Sequence, residues 1–250
     1  MTALLNSGEL HAGERTGADG KAIKNKVLLS IPDDEFNAIR PHLELLKLPH
    51  HFSVHEPNQK VEFGYFLNSG MISLVVETED GKTVEVGVVG KEGFAGAVIA
   101  VGLKRSSLRE IVQIAGDGFR IAADALRAVL ATTPQLQLTL SRYTVLLGMQ
   151  VAQTAACNRL HTVEQRLARW LLVTQDRVDA GMLPLTHDFL ATMLGTDRPS
   201  VSLAAASFQR KQILQYGRGA VTILNRKELE QLSCECYGQI QQFNGELGLR

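Results

Sequence analysis

Residues 185–223, LTHDFLATMLGTDRPSVSLAAASFQRKQILQYGRGAVTI, decide the fold of the C-terminal part of this chain. Thr186 is a suitable N-cap for a short helix, and Gly195 takes at low cost the left-handed conformation that ends one. Asp197 then caps a second helix, in which Pro199 occupies the first turn. Two short helices joined by a short glycine-containing turn indicate a helix-turn-helix, whose second helix fits the major groove of DNA.

After the second helix, residues 213–216 and 220–223 form two apolar runs around Arg218, which predicts a hairpin, or wing, with an arginine at its tip. Between Arg198 and Lys227 there are six cations and no acidic residue, although the formal charge of the chain is zero. Contacts with phosphates favour such a local excess of positive charge. We therefore predict that this segment binds DNA. The predicted contact residues are Thr186, Thr196, Arg198, Ser200, Val201, Ser202, Gln209, Arg210, Lys211 and Arg218.

Composition restricts the class of protein. The 250 residues are 45% hydrophobic and 21% charged, and twenty-six cations balance twenty-six acids. These values are typical of a globular chain and not of a disordered or uniformly basic one. Three cysteines are too few for a disulfide framework and suit a reducing compartment. Because the sequence has neither a run of about 20 apolar residues nor a secretion signal, we expect a cytoplasmic protein without membrane association.

The apolar pattern divides the chain into four segments. The first lacks an apolar period, the second carries short β-branched runs, the third is a long helix, and the fourth contains the short helices and the hairpin described above. They are a mobile arm (1–24), a β-roll sensor domain (25–125), a dimerisation helix region (126–160) and a winged helix-turn-helix domain (161–250). The predicted fold class is therefore α+β.

Two strand pairs are predicted within the β-roll segment. The pair Asp80-Gly81 stands between β-branched runs, which predicts a hairpin with a type I′ turn, where both central residues take positive φ. Residues 107–115 and 118–121 are predicted to form a second antiparallel pair through the glycine-rich link between them. Several short strands at this spacing indicate an antiparallel sandwich or roll.

The long helix carries apolar residues on two faces. Between residues 129 and 158, Arg142 is the only charged side chain, so both faces must be covered. The roll can cover one face and a second copy of the chain the other, which predicts a homodimer; burial inside one domain is the alternative. The predicted dimer seam, with spacing close to that of a coiled coil, consists of Leu136, Leu140, Tyr143, Leu147, Val151 and Thr154. The second apolar face consists of Leu138, Val145, Met149 and Ala152.

Three motifs occur together in this chain: the Asp80-Gly81 hairpin followed by VGKEG at 89–93, the long helix from Leu136, and LGTDRPSV at 194–201. In this combination the chain from about Asn25 resembles the cyclic-AMP receptor protein/FNR (Crp/Fnr) family of bacterial transcription regulators. The resemblance implies an N-terminal β-roll (jelly-roll) like a cyclic-nucleotide-binding domain, a long dimerisation helix and a C-terminal winged helix-turn-helix. It also implies a homodimer that binds a near-palindromic double-stranded DNA operator and then recruits or blocks RNA polymerase.

The resemblance also implies an effector pocket, formed by Gly93, Gly96, Ala97, Arg105 and Ser106. In the family, a glutamate that holds the ribose hydroxyls follows the glycine that matches Gly96. Here that position is Ala97, which accepts no hydrogen bond, so we expect no cyclic-AMP binding and leave the effector unidentified. Two alternatives stay open: a cyclic-nucleotide-responsive regulator of the same family, and a regulatory module whose C-terminal domain binds protein. At the DNA end, Pro199 and Leu203 replace polar family residues, which implies an altered operator preference.

The segment Cys234-Glu235-Cys236-Tyr237 resembles the tail of one branch of this family, but the cysteines do not form a recognisable metal-binding or catalytic motif. No cysteine precedes Cys157, which excludes an N-terminal iron–sulfur site of the FNR type. Cys157 and His161 are four residues apart, while Cys234 and Cys236 are closer together than the usual zinc pair. We predict ordinary, partly buried thiols and expect no enzyme activity, no cofactor and no metal; a redox or metal role for Cys157, Cys234 and Cys236 stays open.

Overall fold

The computed structural model describes residues 15–178, 181–217, 219–246 and 248. Its N-terminal part is a β-roll of two antiparallel sheets. The strands are β1 (Glu44–Leu48), β2 (Ser53–His55), β3 (Phe63–Leu67), β4 (Met71–Glu77), β5 (Thr83–Val89), β6 (Arg109–Ile114) and β7 (Gly116–Ala122). One sheet has the order β1-β7-β3 and the other β2-β6-β4-β5. The two sheets face each other, because Leu67 of the first shares a buried cluster with Ile72 and Val112 of the second.

Strands β6 and β7 do not pair, contrary to the prediction for residues 107–115 and 118–121. β6 pairs with β2 and β4, whereas β7 pairs with β1 and β3. The chain passes from one sheet to the other at Ala115, between the two strands. A run of β-branched residues indicates a strand but not its partner, and here the short link changes sheet instead of folding the chain back.

The hairpin at Asp80-Gly81 is confirmed, because β4 and β5 pair from Ile72↔Val89 to Glu77↔Thr83. Its turn differs from the predicted type I′. Gly81 alone among the loop residues has positive φ, 77°, and the Thr78 N–H donates to the Lys82 carbonyl oxygen at 2.9 Å. This bond closes a three-residue loop with glycine at the left-handed position, which is a common hairpin connection besides the two-residue type I′ turn.

Helices flank the roll on both sides. They are α1 (Lys26–Ser30), α2 (Asp33–Ile39), α3 (Ala123–Leu130), α4 (Pro134–Leu160) and α5 (Val163–Val178), with 3₁₀ turns at Arg40–His42 and Ala97–Val101. The Asn25 side chain caps α1 by accepting from the Leu28 N–H at 3.2 Å. None of the helices in the described ranges combines the length and the apolar content that a membrane crossing requires.

Residues 15–24 belong to the folded roll, which corrects the predicted mobile arm over 1–24. Arg15 is 6% exposed and donates to the carbonyl oxygens of Leu28 at 2.6 Å and Ile31 at 2.7 Å. These carbonyls stand at the open C-terminal end of α1, where the helix leaves its last acceptors unpaired. Ile23 is fully buried. A stretch without apolar period is thus held by hydrogen bonds of Arg15, Arg40 and Asn68 and by the buried Ile23. Residues 1–14 of the predicted arm lie outside the described residues.

The face of α4 that was predicted as the dimer seam is covered by its own chain, so that assignment is wrong. Leu136 and Leu140 are fully buried, and Tyr143 and Thr154 are 5% exposed. The remaining seam residues, Leu147 and Val151, are half-buried beside Gly87 of β5. The opposite face stays open: Leu138, Val145 and Met149 are 42%, 61% and 45% exposed. Periodicity identified both faces but could not tell which one the roll covers.

The C-terminal domain follows a break in the helix at residues 161–162. Its further elements are β8 (Met182–Leu183), α6 (His187–Leu194), α7 (Arg198–Arg210), β9 (Leu214–Gly217), β10 (Ala220–Ile223), α8 (Arg226–Leu232) and α9 (Cys236–Glu246). β10 is the central strand of a three-stranded antiparallel sheet with β8 and β9. The core joins Leu171 of α5, Leu190 of α6, Phe208 of α7 and Val221 of β10, each no more than 1% exposed.

Candidate nucleic-acid interface

Helices α6 and α7 are set by the capping residues that the sequence indicated. The Thr186 hydroxyl accepts from the Phe189 N–H at 3.2 Å and begins α6. Gly195 ends this helix with φ of 57°, in the left-handed region that favours glycine. Asp197 begins α7 by accepting from the Ser200 N–H at 2.8 Å and from its hydroxyl at 2.9 Å. The predicted pair of helices and the turn between them are therefore confirmed.

The inner face of α7 packs on the domain core. Val201, Ala205 and Phe208 are at most 1% exposed, and Ala204 is 2% exposed. Val201 was included among the predicted DNA contacts, but a side chain with no accessible surface cannot reach a base or a phosphate. Its place in the core fixes the rotation of α7, and therefore which residues of the helix point outward.

The outer face of α7 presents Pro199, Leu203, Ala206 and Arg210, whose spacing of four, three and four residues is that of one helix face. Leu203 is 73% exposed on this face. The predicted contacts Gln209, Arg210 and Lys211 are all exposed at the C-terminal end of the helix. Thr196 is half-buried in the turn. This outer face is smooth and apolar in its middle and cationic at its end.

Ser202 is half-buried and bonded inside the domain, unlike an open contact residue. Its hydroxyl lies 2.9 Å from His187 Nδ1 at the start of α6. The His187 ring also meets the ring of Tyr216 on β9 edge-on, with centroids 4.8 Å apart. Burial, helped by the charge of Arg198, lowers the pKa of His187, so the ring is neutral near pH 7 and can share one proton with the hydroxyl. The contact ties α6, α7 and the wing together.

The wing is confirmed as a hairpin, with Leu214↔Ile223 and Gly217↔Ala220 paired between β9 and β10. Arg218, predicted at its tip, lies outside the described residues. Gly219 beside it has φ of 78°. The wing is anchored by Val221, which is fully buried, and it stands next to α7 because α7 contacts β9 directly.

Two of the six cations between Arg198 and Lys227 form ion pairs with acids outside or beyond this segment, which the sequence did not reveal. Arg198 Nη1 lies 3.4 Å from the Asp188 carboxylate on α6, with both side chains exposed. Arg226 makes ion pairs with Asp176 at 2.7 Å and Glu230 at 2.9 Å. Arg226 therefore holds α8 against α5, whereas an exposed pair such as that of Arg198 is weak and can exchange for a phosphate.

The C-terminal domain is docked on the roll through buried polar bonds that sequence reasoning missed. Trp170 Nε1 on α5 donates to Glu85 Oε1 on β5 at 2.6 Å, and the Ser73 hydroxyl donates to Glu85 Oε2 at 2.5 Å. Arg177 Nε donates to Glu92 Oε1 at 2.8 Å in a pair that is at most 7% exposed. Burial raises the pKa of Glu85 to about 7. In the sequence, only a glutamate within the apolar run of β5 pointed to this contact. Trp170 and Arg177 each follow their glutamate partner by 85 residues, so no local pattern connects them.

The residues of the predicted effector pocket differ in their exposure and in their contacts. Gly93 lies under the ring of Tyr143, and Ala97 is 6% exposed. The Gly96 N–H donates to Glu110 Oε2 at 2.9 Å inside the roll. Arg105 is exposed and donates to the Asn58 carbonyl oxygen. Ser106 uses its hydroxyl to accept from the Leu108 N–H at 3.1 Å.

A buried acid, Glu110, lies beside Gly96 of the predicted pocket. Glu110 and His55 are 5% and 8% exposed, and His55 Nε2 lies 3.8 Å from Glu110 Oε2. Burial raises the pKa of Glu110 to about 7 and lowers the pKa of His55 to about 4. At neutral pH the imidazole is therefore uncharged, and the pair offers a phosphate no net positive partner.

Comparison with known proteins supports the assignment of the helix-turn-helix and of the fold. Residues 165–232 match the model of the Crp-like helix-turn-helix domain. No curated protein sequence matches the chain. The c-di-GMP-responsive regulator CLP of Xanthomonas campestris is 16% identical, with a TM-score of 0.63, over 77% of this chain and 99% of that one. FixK2 of Bradyrhizobium japonicum is also 16% identical, with a TM-score of 0.63, over 77% of this chain and 98% of its own.

A third solved structure has the same architecture. A CRP-family transcriptional regulator of Thermus thermophilus is 18% identical, with a TM-score of 0.61, and the match covers 75% of this chain and 96% of that one. These identities show a shared fold, and the match over residues 165–232 shows the DNA-binding module. Together, these comparisons identify residues 165–232 as a Crp-like helix-turn-helix domain and show that the chain has the fold of these three solved structures.

Proposed function

We propose that the protein acts as a homodimer that binds a near-palindromic operator in double-stranded DNA and thereby controls transcription. The observation that carries the proposal is the outer face of α7, which is open to solvent and ends in Arg210 and Lys211. In a helix-turn-helix the second helix enters the major groove. The exposed Leu203 fits a thymine methyl group, and the terminal cations fit phosphates.

The open face of α4 supports dimerisation. Leu138, Val145 and Ala152 are exposed at intervals of seven residues, and Arg142, Met149 and Ala156 form a parallel exposed row with the same interval. This spacing is that of a coiled-coil seam. Helix α4 of a second copy is the proposed cover, so that two α7 helices stand about 34 Å apart, one turn of DNA.

Gly148 adds to this argument. Glycine in the middle of a helix costs about 1 kcal/mol relative to alanine, and apart from the adjacent residues and backbone of α4 itself, no atom of the described residues lies within 4 Å of where its Cβ would stand. Nothing within the described part of the chain thus requires glycine there. A second helix that packs closely against α4 would require glycine there, because two backbones can come nearer where a side chain is absent.

The roll is proposed as a sensor that does not take cyclic AMP. Ala97 offers no acceptor for ribose, Arg105 points to Asn58, and the Gly96 N–H is satisfied by Glu110. A signal at the roll would reach the DNA-binding domain through the bonds of Glu85 and Glu92 with α5. A ligand can change the arrangement of this junction only if it binds the protein with different affinity in the two arrangements. As the family resemblance implies, the bound dimer then recruits or blocks RNA polymerase.

The test is selection of binding sites from random duplex DNA, followed by titration of the selected site at several salt concentrations. We expect a two-fold symmetric site and a steep loss of affinity as salt increases. In Lys211→Ala, a dimer loses two phosphate contacts, so the slope of log K against log salt should fall by about 1.8. Lys104→Ala, an exposed lysine of the roll, is the matched control and should keep the slope.

Failure to bind any duplex in dilute buffer would overturn the proposal and favour a C-terminal domain that binds protein. Binding with an unchanged salt slope in Lys211→Ala would remove this end of α7 from the interface.

A further inference from the structure

Four metal-ligating side chains meet where α4 ends. Cys157 and His161 come from the last turn of α4 and its C-cap, and Cys234 and Cys236 come from the start of α9. The three sulfurs and the histidine nitrogen all lie within 4.8 Å of one another. The cysteines are 0%, 3% and 0% exposed, and they are the only three in the chain. The fold thus gathers every thiol of the protein at one point, together with one histidine.

Two distances within this cluster, hereafter the Cys₃His cluster, match those around a single tetrahedral ion, and all four ligand atoms lie within 4.8 Å of one another. Zinc bonds of about 2.3 Å to sulfur and about 2.0 Å to nitrogen place two tetrahedral sulfurs about 3.8 Å apart, and sulfur and nitrogen about 3.6 Å apart. Cys157 Sγ lies 3.5 Å from Cys234 Sγ, and Cys236 Sγ lies 3.6 Å from His161 Nδ1. An iron–sulfur cluster, whose thiolates bind different irons around bridging sulfides, needs a wider set of ligands.

A second layer of polar groups orients these ligands. His161 Nε2, the nitrogen that faces away from the thiols, lies 3.2 Å from Glu235 Oε1. A carboxylate on the far nitrogen holds the proton there and leaves Nδ1 with a lone pair, an arrangement that accompanies almost every metal-ligating histidine. Gln153 Nε2 donates to Cys236 Sγ at 3.0 Å, which stabilises a thiolate.

Buried cations balance the charge that such a site would carry. Arg166 and Arg169 on α5 are 6% and 4% exposed, and the Nε atom of each has no hydrogen-bond partner among the described residues. Both interact electrostatically with Cys157. Three thiolates around a divalent ion leave one net negative charge, and buried arginines beside it compensate that charge, whereas beside three neutral thiols they would be uncompensated.

A metal ion that binds the cluster would displace the protons of the thiols, so its affinity should increase with pH.

From this geometry we infer that Cys157, His161, Cys234 and Cys236 form a structural site for one Zn²⁺-like divalent ion. All four positions of the tetrahedron are supplied by the chain, so the site has no open coordination position for a substrate. The spacing of Cys234 and Cys236 did not predict it, because the other two ligands come from 73 or more residues earlier and only the packing of α9 on α4 brings them near.

The site would join the two halves of the protein. It lies at the break between α4 and α5, and it connects the end of α4 to the last helix of the DNA-binding domain. A metal ion there would fix the angle between the two domains, and its loss or the oxidation of its thiolates would free that angle. This consequence for DNA binding rests on the proposed function, whereas the metal site itself does not.

The first experiment uses the full-length wild-type chain, reduced, stripped with a chelator and titrated with Co²⁺ and then Zn²⁺ alone. We expect one equivalent of Co²⁺ per chain, with the intense visible bands of a tetrahedral ion and thiolate charge-transfer absorption in the near ultraviolet, both removed by Zn²⁺. Because this measurement needs no variant, misfolding cannot explain its outcome.

Variants then assign the ligands. Cys236→Ser and His161→Gln should lose the stoichiometric ion or the tetrahedral spectrum, whereas His42→Gln, at an exposed histidine of the roll, should keep both. Glu235→Gln should retain the spectrum with Zn²⁺ affinity about 10- to 100-fold weaker, as for other second-layer carboxylates.

Absence of a tetrahedral Co²⁺ spectrum in the reduced wild-type chain would overturn the site. So would iron with acid-labile sulfide in the purified protein, or a native mass lower by two hydrogens from a Cys157–Cys234 disulfide. For the coupling, the affinity of the zinc and stripped forms for the selected operator should differ by about 5-fold or more. Equal affinities would overturn the coupling while the metal site stands, and a chain that binds zinc but no DNA would contradict only the proposed function.

Discussion

Replacement of Glu85 by glutamine tests the junction between the roll and the DNA-binding domain. The carboxylate is buried between Ser73 and Trp170, with bonds of 2.5 Å and 2.6 Å to its two oxygens. Burial raises its pKa to about 7, and the hydrogen bonds and the charges of Arg169 and Arg177 only partly oppose that shift. A glutamine side chain has nearly the same shape but does not titrate: its carbonyl oxygen can accept from Trp170, and its amide can donate to the Ser73 hydroxyl, which then becomes the acceptor.

The sign of the effect follows from the direction of the shift. Since the folded state binds the Glu85 proton more tightly than the unfolded state does, its contribution to stability is fully present below about pH 4.5 and is lost as the pH rises through about 7. The rise from the ordinary value of 4.5 to about 7 corresponds to about 3 kcal/mol. Wild type should therefore lose about 3 kcal/mol more than Glu85→Gln between about pH 5 and about pH 8.

The assay is urea denaturation at the two pH values, followed by the fluorescence of Trp170. It is the only tryptophan in the chain and it donates to Glu85, so its emission reports the junction directly. Glu79→Gln, in the exposed hairpin loop, is the control and should retain the wild-type pH dependence. The same pH dependence in wild type and Glu85→Gln would refute the assignment of a titrating carboxyl at this contact.

Three further experiments address the dimer, the helix-turn-helix and the roll. Val145→Glu places a charge on the open face of α4, where Val145 is 61% exposed, and should give a monomer by sedimentation velocity. The control Val101→Glu, at a 46% exposed residue of the roll, should remain dimeric. A dimeric Val145→Glu would exclude this face of α4 as the dimer interface. Asp197→Ala removes the acceptor of two hydrogen bonds from Ser200 and should cost about 1 kcal/mol of stability in denaturant unfolding; no loss would mean that the cap is not formed. Calorimetry of wild type with cyclic AMP should show no heat of binding at micromolar concentration, because Ala97 offers no acceptor and Glu110 occupies the interior; clear heats would contradict the account of the pocket.

The local features of the helix-turn-helix were predictable from the sequence because each depends on neighbouring residues. Thr186, Gly195 and Asp197 act through their own backbone conformation or through the N–H groups within a few residues. The same holds for the hairpin around Gly81 and for the wing, although the turn at Gly81 is longer than the predicted type I′. Short-range capping and turn preferences are strong enough to set these elements wherever the rest of the chain lies.

Packing between segments distant in sequence decided which face of α4 is covered and which strands pair. The periodicity of α4 shows two apolar faces, but only the docking of the roll determines that Leu140 is covered within the chain and Val145 is not. In the same way, an apolar strand run does not state its partner, so β6 and β7 could pair with each other or join different sheets. In both cases the choice depends on surface buried by segments distant in sequence, which no local pattern records.

By itself the sequence determined the order of the domains, the positions of most helices and strands, and the residues that cap the recognition helix. The tertiary structure alone decided the burial of Glu85 against Trp170, the anchoring of Arg15, and the meeting of Cys157 with Cys234. The physical reason is that backbone preferences act over one or two turns of chain, whereas a buried contact between residues 13, 77 or 85 positions apart exists only after the core has formed.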